Sequence, residues 1–258
     1  MKIDQIAAIT YTIRDFIQSE KNFQDSCQKL AQIGYQAVEL AALPQGMISA
    51  KETLQICNDN GLRITSTHED LGKTLDEPET LVDHIKDLGC EYIIYSYPHD
   101  TDFNDPASVD RLIDRLNRAG AVYKEAGLNL LYHNHALEFL KRDGKIVLDT
   151  ILERTDPDLV KAELDTFWIQ RGGCDPVTWC QKVSGRLPIL HIKDMTVYEG
   201  NESTMGEIGS GNLDFKRIIS AAEASGCETF VVEQDECPGN PFDSLKKSFD
   251  YIKGNLVD

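Results

Sequence analysis

Eight times along this chain a short run of β-branched and aromatic residues gives way to a longer amphipathic segment. The short runs fall at residues 6–11, 37–40, 62–67, 92–95, 128–133, 160–164, 189–191 and 229–233, and their length and composition predict strands. Between and after them, residues 16–33, 51–60, 79–88, 108–126, 149–154, 176–183, 215–224 and 241–253 read as helices. In the first of these, Phe16, Phe23, Cys27 and Leu30 recur at helical spacing. Gly34, Gly61, Gly89 and Gly127 each stand where a helix would stop on a left-handed residue. Eight strand–helix alternations with no break in composition predict one α/β domain over residues 1–258, a (β/α)8 TIM barrel. An open doubly wound sheet is the competing architecture. No G-x-G-x-x-G follows the first strand, which disfavours its dinucleotide-binding form.

A net charge of −17 excludes most nucleic-acid and anionic-membrane surfaces, because both require clustered Lys and Arg. The seven cysteines are scattered and form no C-x-x-C pair, a pattern of reduced thiols rather than a disulfide framework. The first residues, MKIDQIAAIT, lack the apolar core of a signal peptide, and no window approaches the length of a membrane span. The expected setting is cytoplasmic. The expected partner is a small sugar or polyol, with no nucleic acid and no membrane, and a homo-oligomer is compatible with this composition.

In a barrel of this kind, chemistry gathers where the strands end. Strands five to eight of the expected set would bring His133 or Glu138, Asp165, His191 and Glu233 to one rim. Carboxylates with an imidazole make a site for one divalent ion, Mn2+ first, with Mg2+, Co2+ or Zn2+ as alternatives. Each residue also has a plainer reading. Asp165 could cap a helix, and His191 could be a core histidine. His133 and His135 lie two apart, so an extended backbone turns both to one side, for catalysis or for orienting ligands. His68 ends the third strand and is expected to touch substrate or move a proton. Lys193 could stabilise an oxyanion or simply pair with Glu233. Trp168 and Tyr11 are candidate walls for a sugar ring. Residues 206–211, GEIGSG, lack the Lys-Ser/Thr of a phosphate loop and are expected to close over the rim.

The motifs YTIRD, YHNHALEF, ELDTFWIQRGGCDP, HIKDM, GEIGSGNLDF and VVEQDE…PFDSLKKSFDYIK, in this order, resemble the sugar phosphate isomerase/epimerase family, the xylose-isomerase-like barrels. The resemblance spans nearly the whole chain. It implies one divalent metal held by Glu, Asp, His and Glu from strands five to eight, carried over here to Glu138, Asp165, His191 and Glu233. Ketose epimerases of the family carry a Glu at the very end of strand five. This chain has Tyr132-His133-Asn134-His135 there, as in the branch resembling inosose dehydratases and keto-glycoside-processing members. Glu138 is the expected ligand, with His133 as its substitute.

The activity expected first is a metal-dependent sugar isomerase or epimerase. Glu233 would take a proton beside a metal-bound carbonyl, with Glu138 or a histidine returning one and Lys193 aiding the enediolate. The alternatives are a lyase or dehydratase using the same enolisation and a non-catalytic sugar-binding barrel.

Overall fold

The computed structural model describes residues 1–257. The barrel strands are β1 (Ile6–Ile9), β2 (Ala37–Leu40), β3 (Arg63–His68), β4 (Tyr92–Tyr95), β5 (Asn129–His133), β8 (Val160–Asp165), β9 (Ile189–Ile192) and β12 (Thr229–Val232). They close in the order β1-β12-β9-β8-β5-β4-β3-β2, and every neighbouring pair is parallel. Closure leaves no sheet edge to protect.

Around it lie α1 (Glu20–Ile33), α2 (Ala50–Asp59), α3 (Leu71–Asp76), α4 (Val82–Asp87), α5 (Pro106–Glu125), α6 (Val147–Arg154), α7 (Thr166–Arg171), α8 (Pro176–Lys182), α9 (Phe215–Ala224) and α10 (Pro241–Asn255). Their starts are chemically marked. Ser49 and Glu52 form a reciprocal capping box on α2, an arrangement worth about 1 kcal/mol. Asp105, Asp175 and Asn240 cap helices that open with proline.

Several boundaries differ from the sequence expectation. The first strand stops at Ile9, because Thr10–Phe16 winds into a 3-10 segment; Tyr11 therefore sits in that turn. The helix expected from residue 16 starts at Glu20, where Ser19 supplies the cap. Two short hairpins project beyond the barrel, β6 (Lys141–Arg142) with β7 (Lys145–Ile146), and β10 (Asp194–Val197) with β11 (Ser203–Gly206).

The stretch expected to close over the rim is wrapped around Asp194. That carboxylate accepts from the backbone N–H groups of Met195, Gly209, Gly211 and Leu213 at 2.8–3.2 Å. A Cβ on Gly211 would collide with the Asp194 carboxylate, so the wrap requires glycine there. Ile208 N–H then donates to Ser248 of α10 at 3.0 Å, which ties the loop to that helix.

Candidate active site

Period-two alternation sorts each strand into residues that face the helices and residues that face the barrel axis. Ala7, Ile9, Ala37, Ile94, Leu131, Ile189 and Val231 face inward and form a small apolar plug. Two residues further along the same rows, the interior turns polar. Glu39 follows Ala37, His133 follows Leu131, His191 follows Ile189 and Glu233 follows Val231.

His133, Asp165, His191 and Glu233 converge, each offering one ligand atom within 4.8 Å of the others, and all four are buried. His191 Nδ1 lies 2.8 Å from Glu233 Oε2. His133 Nε2 faces Asp165 Oδ2 at 4.0 Å. Asp165 also caps α7, with Oδ1 accepting from Trp168 N–H at 2.9 Å, so its two oxygens have different duties. The capping reading of this residue therefore holds, and its other oxygen is left facing the group. Lys193 reaches the same point, with Nζ 2.8 Å from Glu233 Oε2, 3.1 Å from Asp165 Oδ2 and 3.0 Å from Asp235 Oδ1.

Beneath this group lies a layer that the sequence reading missed. Glu39 Oε1 is 2.7 Å from His68 Nε2 and 2.9 Å from His191 Nε2, while Ser66 Oγ donates to its other oxygen. Glu163 Oε2 is 2.9 Å from His133 Nδ1. The missed signal was parity. Glu163 precedes Asp165 by two, and Asp235 follows Glu233 by two, so each shares a face with its neighbour.

Glu138, expected in the ligand set from the sequence, is not part of this group. After β5 the chain turns into a 3-10 segment, Leu137–Phe139. The Glu138 side chain folds back within it. Oε2 accepts from His135 N–H at 2.9 Å and Oε1 from Tyr132 OH at 3.0 Å. Both oxygens are engaged, and His133, the named substitute, occupies the place in the group.

The remaining expected residues surround a cavity of about 450 Å3 whose lining includes Tyr11, His68, His135, Lys193, Glu233 and Asp235. Trp168 is one step behind it, stacked near the His135 ring at 5.2 Å and under the Lys193 ammonium at 5.4 Å.

The charges follow from this packing. Burial opposes ionisation of Glu233, but the Lys193 ammonium and His191 outweigh it and hold the carboxyl well below its usual range. Burial and the Lys193 ammonium push His135 down to about 4, so its ring is neutral at pH 7. Burial also works against a charged His68, yet Glu39 prevails and raises it. Asp235 is pushed up to about 7 by burial and by Glu233 beside it.

The upper group suits a divalent cation. Its donors are two carboxylates and two imidazoles, a borderline set. Asp165 Oδ2 is fully buried and accepts no hydrogen bond, although the Lys193 ammonium neutralises it from 3.1 Å. That ammonium, lodged between Asp165 and Glu233, shows that the pocket draws positive charge.

A closed parallel barrel carrying a buried, cation-competent group at the C-terminal ends of its strands is the class that fold and site define. The chain belongs to the xylose isomerase-like TIM barrel family, which it matches over residues 27–254. It is 32% identical over 161 residues to an inosose dehydratase of Geobacillus thermodenitrificans (strain NG80-2), a match taking in 56% of this chain and 53% of that one. The chain thus spans about half the length of that relative. An inosose dehydratase of Geobacillus kaustophilus (strain HTA426) is 25% identical over 269 residues, covering 87% of this chain and 84% of the relative. Among solved structures, a sugar phosphate isomerase/epimerase from Parabacteroides distasonis ATCC 8503 superimposes with a TM-score of 0.81 at 26% identity, covering 97% of this chain and 98% of that one.

Proposed function

We propose that this protein is a divalent-metal-dependent enzyme that enolises a keto sugar or keto polyol and then eliminates water from it. The observation that carries the reading is the convergence of His133, Asp165, His191 and Glu233, of which His133 and Glu233 line a sugar-sized cavity. These four residues would hold the cation. Two imidazoles among them favour Mn2+, Co2+ or Zn2+ over Mg2+. When bound, the cation supplies Lewis-acid polarisation of a carbonyl, which acidifies the neighbouring C–H.

The chain's own groups supply the rest. Glu233, kept ionised, takes the proton from that carbon. Lys193 offers its ammonium to the oxyanion that develops. His68 lines the cavity and has Nε2 tied to Glu39, whose carboxylate favours the protonated ring. It gives a proton to the departing hydroxyl, which leaves as water. Neutral His135 and the exposed ring of Tyr11 orient the remaining hydroxyls. Among the described residues, Lys193 is the one Lys or Arg lining the cavity, and three carboxylates already surround it. A non-phosphorylated substrate suits such a lining.

Elimination is favoured over epimerisation by the place of Glu138. Epimerisation requires a second base across the reacting carbon, and the strand-five carboxylate expected there is turned onto Tyr132 and His135. The inosose dehydratase relatives support the same choice. Likeness to the Parabacteroides isomerase/epimerase favours a second reading, in which His68 returns the proton to carbon.

The test uses metal-loaded protein and keto sugars and keto polyols in D2O. The wild type should wash deuterium into the carbon beside the carbonyl and release a product lighter by one water. Glu233→Gln should do neither. Exchange that persists in Glu233→Gln removes that residue from the base role, and a product of unchanged mass selects the second reading.

A further inference from the structure

The two imidazoles of the cation group each use only one nitrogen toward it. The other nitrogen of each rests on a buried carboxylate from the layer below. His191 Nε2 is 2.9 Å from Glu39 Oε1, and His133 Nδ1 is 2.9 Å from Glu163 Oε2. Glu39 and Glu163 come from β2 and β8, far apart in the chain, and both are completely buried.

We propose that Glu39 and Glu163 are positioning residues. Each accepts the N–H of one imidazole of the cation group and so fixes the tautomer and tilt that present His191 Nδ1 and His133 Nε2 to the cation. The inference rests on the metal-dependent reading given above. A neutral imidazole has one N–H and one lone pair, so a carboxylate that takes the N–H decides which nitrogen ligates. Such outer carboxylates also raise the basicity of the ligand, and their loss costs about 10–100-fold in metal affinity.

The lower layer has its own claim on a cation. Glu39, His68, Glu163 and His191 also place ligand atoms within 4.8 Å of one another, and Glu163 Oε1 is buried without a partner. His191 belongs to both groups and, while neutral, can ligate in only one. The hydrogen bonds favour the upper position. Both oxygens of Glu39 are already taken, by two imidazoles and by Ser66. In the upper group, His133 Nε2 has only a 4.0 Å approach to Asp165, and Asp165 Oδ2 accepts no hydrogen bond. Glu163 is thereby left to hold His133.

The decisive measurement needs no variant. Uniformly 15N-labelled protein loaded with 113Cd2+ should show scalar coupling from cadmium to His191 Nδ1 and His133 Nε2, with the proton retained on His191 Nε2 and His133 Nδ1. Cadmium on His191 Nε2 would put the ion in the lower layer and overturn the proposal. Glu39→Gln and Glu163→Gln should each bind Mn2+ about 10–100-fold more weakly than wild type in competition with a chelator. Wild-type affinity in both folded variants would equally overturn it. Should either variant not fold, the cadmium spectrum of the wild type decides alone. A wild type that takes up neither Cd2+ nor Mn2+ removes the metal-dependent reading itself, and this inference falls with it. Tight binding through the wrong nitrogen removes only the inference.

Discussion

Asp165 Oδ1 caps α7 through Trp168 N–H at 2.9 Å, while Oδ2 of the same carboxylate lies 3.1 Å from Lys193 Nζ. One side chain thus anchors a helix and faces the cation group. The two duties separate in a variant. Asn is as good a helix cap as Asp, but its amide is a poor metal ligand and carries no charge. Asp165→Asn should keep its melting temperature within a few degrees of wild type and lose high-affinity Mn2+ binding. Asp165→Ala should lose the cap as well, at a further cost of about 1 kcal/mol. Thermal unfolding with chelator present and Mn2+ titration read the two separately; unchanged Mn2+ affinity in Asp165→Asn would take it out of the ligand set.

Lys193 is the counter-charge of three acidic side chains. Removing it leaves Asp165, Glu233 and Asp235 crowded together in a dry interior. Breaking such an arrangement costs about 3–5 kcal/mol. Lys193→Met should therefore be markedly less stable than wild type in urea with chelator present. A divalent cation would restore the missing charge, so added Mn2+ should stabilise the variant more than the wild type. Equal response of the two proteins to Mn2+ would contradict this account.

Glu138 gives the protein a pH dependence of stability. Burial pushes its carboxyl from 4.5 up to about 7, against the hydrogen bonds from its own segment, His135 N–H and Tyr132 OH that pull it down. Between those values the folded state holds a proton that the unfolded chain has released. Stability contributed by this group is thus present at low pH, falls as pH rises through that window, and levels off above about pH 7. The total is at most about 3 kcal/mol. Glu138→Gln should flatten this slope in denaturant titrations at stepped pH, and a slope identical to wild type would count against the buried-acid assignment.

Arg186 tests the opposite end of the barrel. Its guanidinium donates to the carbonyls of Val160 and Leu152 and to Thr155 Oγ1 at 2.5–2.7 Å. Arg186→Met fills similar volume but leaves those buried acceptors unpaired, at about 1–3 kcal/mol each. The variant should unfold at a lower urea concentration while each folded molecule keeps wild-type Mn2+ affinity. A loss of affinity at unchanged stability would link this end of the barrel to the site.

Much of this arrangement was legible in the residues. Asp165, His191 and Glu233 each end a short β-rich run, and that alone assigned them to one rim once eight such runs implied a barrel. Asp194 shows where legibility failed. Its four backbone donors come from the neighbouring residue and a loop fifteen to nineteen positions away, and no local pattern announces them.

The sequence by itself determined the alternation of strands and helices and the parity that turns given side chains toward the barrel axis, because both are properties of the local backbone. Only the tertiary structure decided that Glu138 folds back onto His135 while His133 faces the group, and that Glu39 from β2 meets His191 from β9. The first depends on how the chain turns after its strand has ended. The second depends on which strands face each other across a closed cylinder, a distance that no spacing along the chain encodes.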